Sequence, residues 1–250
     1  MTPYGLERLG ERAVLVRYGR CVDASAYDGV MRLDAMLRRR PFPGFVEAVP
    51  SYAALAVHYD PWIVYRRSGR GARLPFDIVS DLLRELLLSQ ESAGGGETRI
   101  VTIPVCYGGA YGPDLEDLAD QRGLSEPEVV RLHSEAEYQV YMLGFMPGFP
   151  YMGGLPAVLA TPRRSTPRLV VPAGSVGIAG GQTGVYPLQS PGGWQLIGRT
   201  PLRLFLPERD PPTLLRAGDR IRFRPIGAEE YEASALGEQQ VMGKLGLADR

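Results

Sequence analysis

Glycine and proline supply 20 of the 60 residues between positions 141 and 200. Glycine weakens the interior of helices and strands, and proline removes a backbone donor, so this stretch cannot form long regular elements. Short strand-like runs separated by Gly/Pro turns continue from about residue 168. They are RLVVPA, GVYPL, WQLIGRT, PLRLFLP and DRIRFRPI. This spacing predicts a closed or nearly closed β-barrel.

The first 95 residues have longer periodic segments. The predicted strands are RAVLVRYG (12–19) and two within GFVEAVPSYAALAVHY (44–59), and the predicted helices are YDGVMRLDAMLRR (27–39) and LPFDIVSDLLRELLLSQ (74–90). The glycines at 94–96 favour a linker after this region. We therefore predict an α+β chain with a small N-terminal α+β domain (1–95) and a barrel domain (96–250).

A strand and two short helices are expected where the second domain begins. The strand is TRIVTIPVCY (98–107), and a helix near 114–122 ends at Gly123. Ser125 with Glu128 three residues later is the pattern of a capping box at the start of the next helix. Two helices around a glycine turn also suggest a helix-turn-helix DNA-binding unit, but residues 114–137 hold eight acidic side chains against two arginines. That balance argues against nucleic acid.

Composition excludes several other classes of protein. The 28 basic and 28 acidic residues cancel, which gives no electrostatic reason to bind nucleic acid or an anionic membrane. Cys21 and Cys106 have no paired spacing, and two histidines cannot complete a zinc signature, so neither disulfides nor a structural metal are expected. No basic leader or membrane-length apolar run is present, and we expect a cytoplasmic protein without a membrane partner.

Acidic residues are missing from the segment between Glu137 and Glu208. Five arginines remain there: Arg163, Arg164, Arg168, Arg199 and Arg203. A segment with arginines and no carboxylates makes a positive potential that suits a small anion. The alternative is an apolar barrel core with incidental arginines.

Glycine turns in the same segment could point backbone N–H groups into a cavity. Polar side chains accompany these turns, and they are Ser175, Gln182, Thr183 and Ser190. The combination favours a binding site, although glycines at barrel corners and bulges would look alike.

Familiar catalytic motifs are absent. Lys244 is the only lysine, so a P-loop is excluded, and no GxSxG nucleophile elbow occurs. His58 alternates within an apolar strand and is interpreted as structural. His133 follows the capping box on its helix, where it could exchange protons near neutral pH or simply pack.

Four segments closely resemble the B subunit of bacterial ATP-dependent 5-oxoprolinase, a family also described as KipI-like or as allophanate hydrolase subunit 1. They are PVCYGGAYGPDLEDLA (104–119), LGFMPGFPYMGGLP (143–156), TPRLVVPAGSVGIAGGQTGVYPLQSPGGWQLIGRTP (166–201) and LLRAGDRIRFRPI (214–226). The resemblance is strong over 98–226 and weak over 1–95.

The family resemblance implies a cyclophilin-like barrel after the N-terminal domain. It also implies partner subunits A and C, and conversion of 5-oxoproline, a small cyclic amide, to glutamate with ATP and the Mg²⁺ that accompanies it. No tightly bound metal is expected. Two alternatives remain within the family: a KipI-like inhibitor of a sensor histidine kinase, and a component related to allophanate or urea carboxylase chemistry.

The resemblance also suggests roles for individual residues. Arg168 and Arg199 would stabilise negative charge, and His133 would be the acid or base. Backbone N–H groups around Gly174–Ser175 and at Gln182, Thr183 and Gly184 are expected to donate hydrogen bonds to the anion. Ser190 is expected to be a further binding residue. The GFxPGF segment would form a rigid, uncharged cavity wall from Phe145, Pro147, Gly148, Phe149 and Tyr151. Residues 138–207 offer no carboxylate for Mg²⁺, so acids elsewhere or a partner must supply one.

Overall fold

The computed structural model describes residues 4–19, 24–67, 73–88 and 99–244. The chain separates into two compact units, Met1–Glu97 and Thr98–Arg250. Cys21, residues 89–90 of the second predicted helix and the predicted linker at 94–96 lie outside the described residues.

The first unit combines a four-stranded antiparallel sheet with three helices. Its elements are β1 (Gly5–Arg8), β2 (Ala13–Arg17), α1 (Ala24–Arg39), β3 (Phe45–Pro50), β4 (Ala54–Tyr59), α2 (Pro61–Arg67) and α3 (Pro75–Leu88). The strand order is β1-β2-β4-β3. Val14 and Val16 on β2, and Leu55 and Val57 on β4, are fully buried at alternate positions. This alternation places one face of the sheet in the core, where α1 and α3 pack against it.

The second unit contains a closed barrel of seven strands. The barrel strands are β5 (Ile100–Tyr107), β6 (Glu137–Leu143), β7 (Pro150–Gly153), β9 (Ser175–Ala179), β10 (Gln182–Val185), β12 (Gln195–Arg199) and β13 (Arg220–Ile226). Their order around the barrel is β10-β7-β6-β13-β5-β12-β9. Strand β10 pairs with β9, which closes the ring. All neighbouring barrel strands are antiparallel except β5 and β13, which run parallel.

The remaining elements of the second unit lie outside the ring of strands. They are α4 (Leu115–Arg122), α5 (Glu126–Glu135), a short 3₁₀ helix (Ala157–Leu159), the ribbon of β8 (Arg168–Val171) with β11 (Ser190–Gly192), and α6 (Ala228–Lys244). Helix α5 packs against β13 and α4 against β12. Apolar residues from these helices and from the barrel strands form one continuous core.

The capping box predicted for α5 is confirmed. The Glu128 carboxylate accepts hydrogen bonds from the amide of Ser125 at 2.8 Å and from its hydroxyl at 2.7 Å. These bonds hold the pKa of Glu128 below its usual value. Gly123 ends α4 with a positive φ of 65°, as its position in the sequence predicted.

Three features of the second unit differ from the sequence-based prediction. PLRLFLP (201–207) is not a strand: it begins and ends with proline, and its backbone forms only a bridge between Phe205 and Thr213. Strands β6, β7, β9 and β11 were not predicted. Residues 228–244 form α6, although their weak pattern gave no prediction.

Among the described residues, no helix combines the length and the apolar character needed to cross a membrane.

Candidate functional site

A cavity of about 300 Å³ opens beside the barrel where the loop after β6 meets the β8–β11 ribbon. Its lining residues are Phe145, Phe149, Tyr151, Arg163, Pro167, Tyr186, Pro191, Gly192, Gly193 and Trp194. The predicted wall residues Phe145, Phe149 and Tyr151 are thus brought together in one cavity. Tyr186, Trp194 and Arg163 complete it and were not singled out in the sequence as wall residues.

Phe149 is the centre of the aromatic wall. Its ring, which is 1% exposed, meets the rings of its aromatic neighbours edge to face. The centroid distances are 5.6 Å to Phe145, 5.0 Å to Tyr151, 5.3 Å to Tyr186 and 5.5 Å to Trp194. Aromatic pairs favour this geometry, so the rings stabilise one another's positions in the wall.

Gly184 lies directly beneath this wall. A Cβ atom at Gly184 would stand 2.9 Å from Cζ of Phe149 and 3.1 Å from Cζ3 of Trp194. A larger residue would therefore push the two rings apart. The absence of a side chain at Gly184 therefore leaves the space that the rings of Phe149 and Trp194 occupy.

Phe145 stands at the mouth of the cavity in an unusual conformation. Its φ is +69°, and no other non-glycine residue in the described part of the chain has a positive φ. Its side chain is 65% exposed. Two backbone hydrogen bonds stabilise this turn: the amide of Gly144 donates to the carbonyl of Phe149, and the amide of Phe149 donates to the carbonyl of Met146. A bulky residue that is both strained and exposed indicates a functional position.

Arg163 is the charged residue in the cavity lining. It forms no ion pair with a carboxylate of the described residues, and the lining contains no acidic side chain. Burial raises the pKa of the neighbouring Tyr186, although Arg163 acts in the opposite direction. The wall is therefore neutral and the net charge of the lining is positive.

Arg168 does not line the cavity but binds the buried carboxylate of Asp114. Its Nη1 donates to Oδ2 at 2.9 Å and its Nη2 to Oδ1 at 2.6 Å. Asp114 also accepts from Nη1 of Arg164 at 2.8 Å and from the amide of Leu196 at 2.7 Å. This cluster ties the start of α4 to the ribbon and to β12, which favours a structural role for Arg168.

Arg199 also lies outside the cavity lining. Its Nε donates to the carbonyl of Ala173 at 2.7 Å. The amides of Gly174 and Ser175 donate to the carbonyls of Tyr186 and Pro172. These groups are bonded to protein, so the expected anion donors at Gly174–Ser175 are not free.

The other predicted site residues have separate locations. Pro147 is exposed and Gly148 is buried against Phe205. Gln182 is half-buried on β10, and Ser190 donates from Oγ to the carbonyl of Pro191 at 3.1 Å. None of these four residues lines the cavity.

His133 is fully buried against the barrel core. Its Nδ1 lies 2.8 Å from the hydroxyl of Tyr107 and its Nε2 lies 3.0 Å from Oγ1 of Thr183. Thr183 donates its own proton to the carbonyl of Gly177, so it must accept from Nε2–H of His133. Burial lowers the pKa of His133 to about 3. A neutral, enclosed ring favours a packing role for His133 over proton exchange.

The described residues do not by themselves fit a Mg²⁺–nucleotide site. They contain no group of three or more His, Cys, Asp or Glu side chains placed to hold a metal ion. The buried carboxylate of Asp114, beside the ribbon, is already occupied by two arginines. Mg²⁺ requires oxygen ligands, and the cavity wall offers no carboxylate.

Comparison with known proteins assigns the chain to a family. The model of the carboxyltransferase domain, subdomains C and D, matches residues 4–215. The chain belongs to this carboxyltransferase-domain family and, within it, to the group of bacterial 5-oxoprolinase B subunits. It is 48% identical over 230 residues to the 5-oxoprolinase B subunit of Bacillus subtilis (strain 168), covering 92% of this chain and 96% of that protein. The resemblance found in the sequence is confirmed.

Solved structures support the fold. The crystal structure of TTHA0988 matches with a TM-score of 0.72 and 40% identity, over 87% of this chain and 40% of that one. The chain thus spans less than half of that protein. The Kluyveromyces lactis urea amidolyase matches with a TM-score of 0.66 and 21% identity, over 92% of this chain and 15% of that one. The α+β class with a barrel domain is confirmed.

Proposed function

We propose that this chain is the B subunit of an ATP-dependent 5-oxoprolinase and acts with subunits A and C. The complex would convert 5-oxoproline, ATP and water to glutamate, ADP and phosphate. The observation that carries this proposal is the 48% identity to the B subunit of Bacillus subtilis, which extends over nearly the whole of both chains.

The cavity supplies what the binding of a small lactam requires. Opening a lactam is difficult because its carbonyl is a poor electrophile, and phosphorylation of the amide oxygen by ATP would remove that difficulty. The contribution of this chain would be to hold the ring against the aromatic wall of Phe149, Tyr186 and Trp194. Such a wall excludes bulk water and orients a flat ligand.

ATP and Mg²⁺ require further groups. Since the cavity wall has no carboxylate and the described chain has no metal-binding cluster, we place at least part of the metal ligation on a partner subunit. A site completed by a partner accounts for a chain with a ligand cavity and no P-loop. The isolated chain should therefore be inactive.

Urea chemistry is less well supported. Sequence identity to urea amidolyases is 21–24% over most of this chain, whereas identity to the 5-oxoprolinase B subunit of Bacillus subtilis is 48%. Fold alone does not define substrate.

The test is glutamate formation from 5-oxoproline and ATP by the three purified subunits, with each subunit omitted in turn and ATP omitted as a further control. We expect turnover only when all are present, and a stable complex of this chain with the C subunit in size-exclusion chromatography. Full turnover by this chain alone would contradict the shared site. Failure to form any complex with its own C subunit would favour a regulator such as a KipI-like kinase inhibitor.

A further inference from the structure

Three arginines lie close in sequence near the cavity, but only Arg163 both lines the cavity and has no carboxylate partner among the described residues. Arg164 and Arg168 both bind Asp114, which is 1% exposed. Arg163 lines the cavity and has no carboxylate partner among the described residues. The guanidinium without a carboxylate partner is therefore the one that lines the cavity, near Tyr186.

The charges near the cavity do not balance. Asp114 contributes one negative charge against the two positive charges of Arg164 and Arg168. No acid occurs in the sequence between Glu137 and Glu208. Arg163 adds a further positive charge to this excess. Arg163 is itself exposed, and an anion that entered the cavity would meet its positive charge beside the buried rings of Phe149, Tyr186 and Trp194. A charge-assisted hydrogen bond to such a guanidinium is stronger than one between neutral groups.

A second unused donor lies next to Arg163. The Nε of Arg164 is buried and has no acceptor among the described residues. The amide of Arg164 donates to the carbonyl of Gly193 at 2.8 Å, and Gly193 lines the cavity. Buried donors without a protein acceptor are commonly bonded to water, and Arg164 is not itself a lining residue of the cavity, so this donor lies near the proposed site without forming part of its wall.

The shape of the cavity limits what can carry the anion. The rings of Phe149, Tyr186 and Trp194 leave about 300 Å³, which is the lower limit of ordinary ligand pockets. A flat ring of five or six atoms can stack or pack edge-on against these walls. Branched or highly charged ligands do not match an aromatic wall with one free arginine.

We propose that Arg163 is the specificity residue of the cavity and that it binds the carboxylate of a small, flat, singly charged ring compound. The ring lies against the aromatic wall and the carboxylate points to the guanidinium. This inference rests on the proposed function, in which 5-oxoproline is such a compound, and it names the group that distinguishes this substrate from a neutral lactam.

The experiment compares matched ligands on wild type and variants. Calorimetry would measure binding of 5-oxoproline and its neutral counterpart 2-pyrrolidinone, and of 2-furoate and its neutral counterpart 2-furamide. The full chain would be used alone and in complex with subunits A and C. The variants are Arg163→Gln, Arg163→Lys and, as control, Arg203→Gln, which changes an exposed arginine outside the cavity.

Wild type should bind each carboxylate about tenfold or more tightly than its neutral counterpart, since a charge-assisted hydrogen bond distinguishes them. Arg163→Gln should weaken the binding of the carboxylates by about 10- to 100-fold and leave that of the neutral ligands unchanged. Arg163→Lys should restore part of the affinity, and Arg203→Gln should resemble wild type. The thermal unfolding of each variant shows whether it is folded.

Equal binding of charged and neutral ligands by wild type would overturn the inference, as would equal weakening of both by Arg163→Gln. Absence of binding by every carboxylate, alone and in the complex, would overturn it too. If 2-furoate shows the Arg163-dependent preference but 5-oxoproline does not bind, the inference stands and the proposed function fails. If the complex turns over 5-oxoproline equally well with Arg163→Gln, the function stands and the inference fails.

Discussion

The barrel domain contains two polar regions that differ in how completely their groups are bonded. At the His133 and Asp114 centres, both ring nitrogens and both carboxylate oxygens have partners within the protein. In the aromatic cavity, Arg163 has no carboxylate partner in the described chain, and Phe145 holds a strained backbone. Completely bonded groups stabilise the fold, whereas unbonded groups at an opening are available to a ligand.

This difference changes which residues are candidates for function. His133 and Arg168 are attractive by residue type, but their side chains are already engaged with Thr183 and Asp114. Arg163 has the same chemistry as Arg168 and is near it in sequence, yet it borders open space. Bonding state therefore distinguishes the two arginines where residue type cannot.

The largest expected effect comes from breaking the Asp114 centre. Asp114→Ala removes the partner of two arginines and leaves the amide of Leu196 without an acceptor. Because both arginines are partly exposed, we expect a loss near the lower end for a buried pair, about 3 kcal/mol in the free energy of unfolding. Urea unfolding measures this loss, and the control is Asp120→Ala, which changes an exposed carboxylate on α4, the helix that follows Asp114. A loss equal to that of the control would show that the centre is not structural.

Taken per pH unit, the next largest effect concerns His133. The unfolded chain has the ordinary histidine pKa of 6.5, and the folded chain a pKa of about 3. Between these values the unfolded state binds more protons, so the stabilisation is complete above pH 6.5 and is lost as pH falls toward 3. The His133→Gln variant lacks this titrating group. As pH falls through this window, its free energy of unfolding should therefore decrease by about 1.4 kcal/mol per pH unit less than that of the wild type.

Fluorescence of Trp194 in a Trp62→Phe background follows unfolding of the barrel unit for this measurement. His58→Gln, in the other unit, is the matched control and should keep the wild-type slope. An unchanged slope in His133→Gln, with turnover falling far more than affinity, would restore the acid–base hypothesis.

The smallest expected effect concerns the aromatic cavity and tests the strain at Phe145. Phe145→Gly and Phe145→Ala both remove the ring from the cavity mouth, but only glycine accepts a φ of +69° without strain. Phe145→Gly should therefore be more stable than Phe145→Ala by about 1 kcal/mol, while both weaken ligand binding alike. Thermal unfolding and calorimetry test this pair. Equal stability would mean that the turn is not strained.

Much of the fold could be predicted because local patterns agree with tertiary structure. The strands on either side of Pro50–Ser51 and the capping box of α5 depend on neighbouring residues, and both were predicted. Helix α2 was missed because seven residues with a single buried side chain, Val64, give no periodic signal. Strand β7 was missed because its four residues lie in a glycine- and proline-rich stretch.

The candidate site was predicted in outline but not in its charged residue. The uncharged GFxPGF segment indicated a wall, and Phe145, Phe149 and Tyr151 do line the cavity. The choice among the arginines depended on Asp114, which lies outside the acid-free segment, 54 positions from Arg168. A pairing over that separation leaves no local pattern, so the sequence could not show which arginine was neutralised.

The parallel pairing of β5 with β13 has a consequence for biosynthesis. Ile100 lies opposite Arg220 and Cys106 opposite Ile226, so the first and last strands of the barrel are neighbours. During translation the barrel cannot close until β13 has left the ribosome. Until then, the edge of β5 that pairs with β13 has no hydrogen-bonding partner strand. Closing a loop of this length is also slow. The nascent barrel is thus exposed to mispairing until β13 has been synthesised.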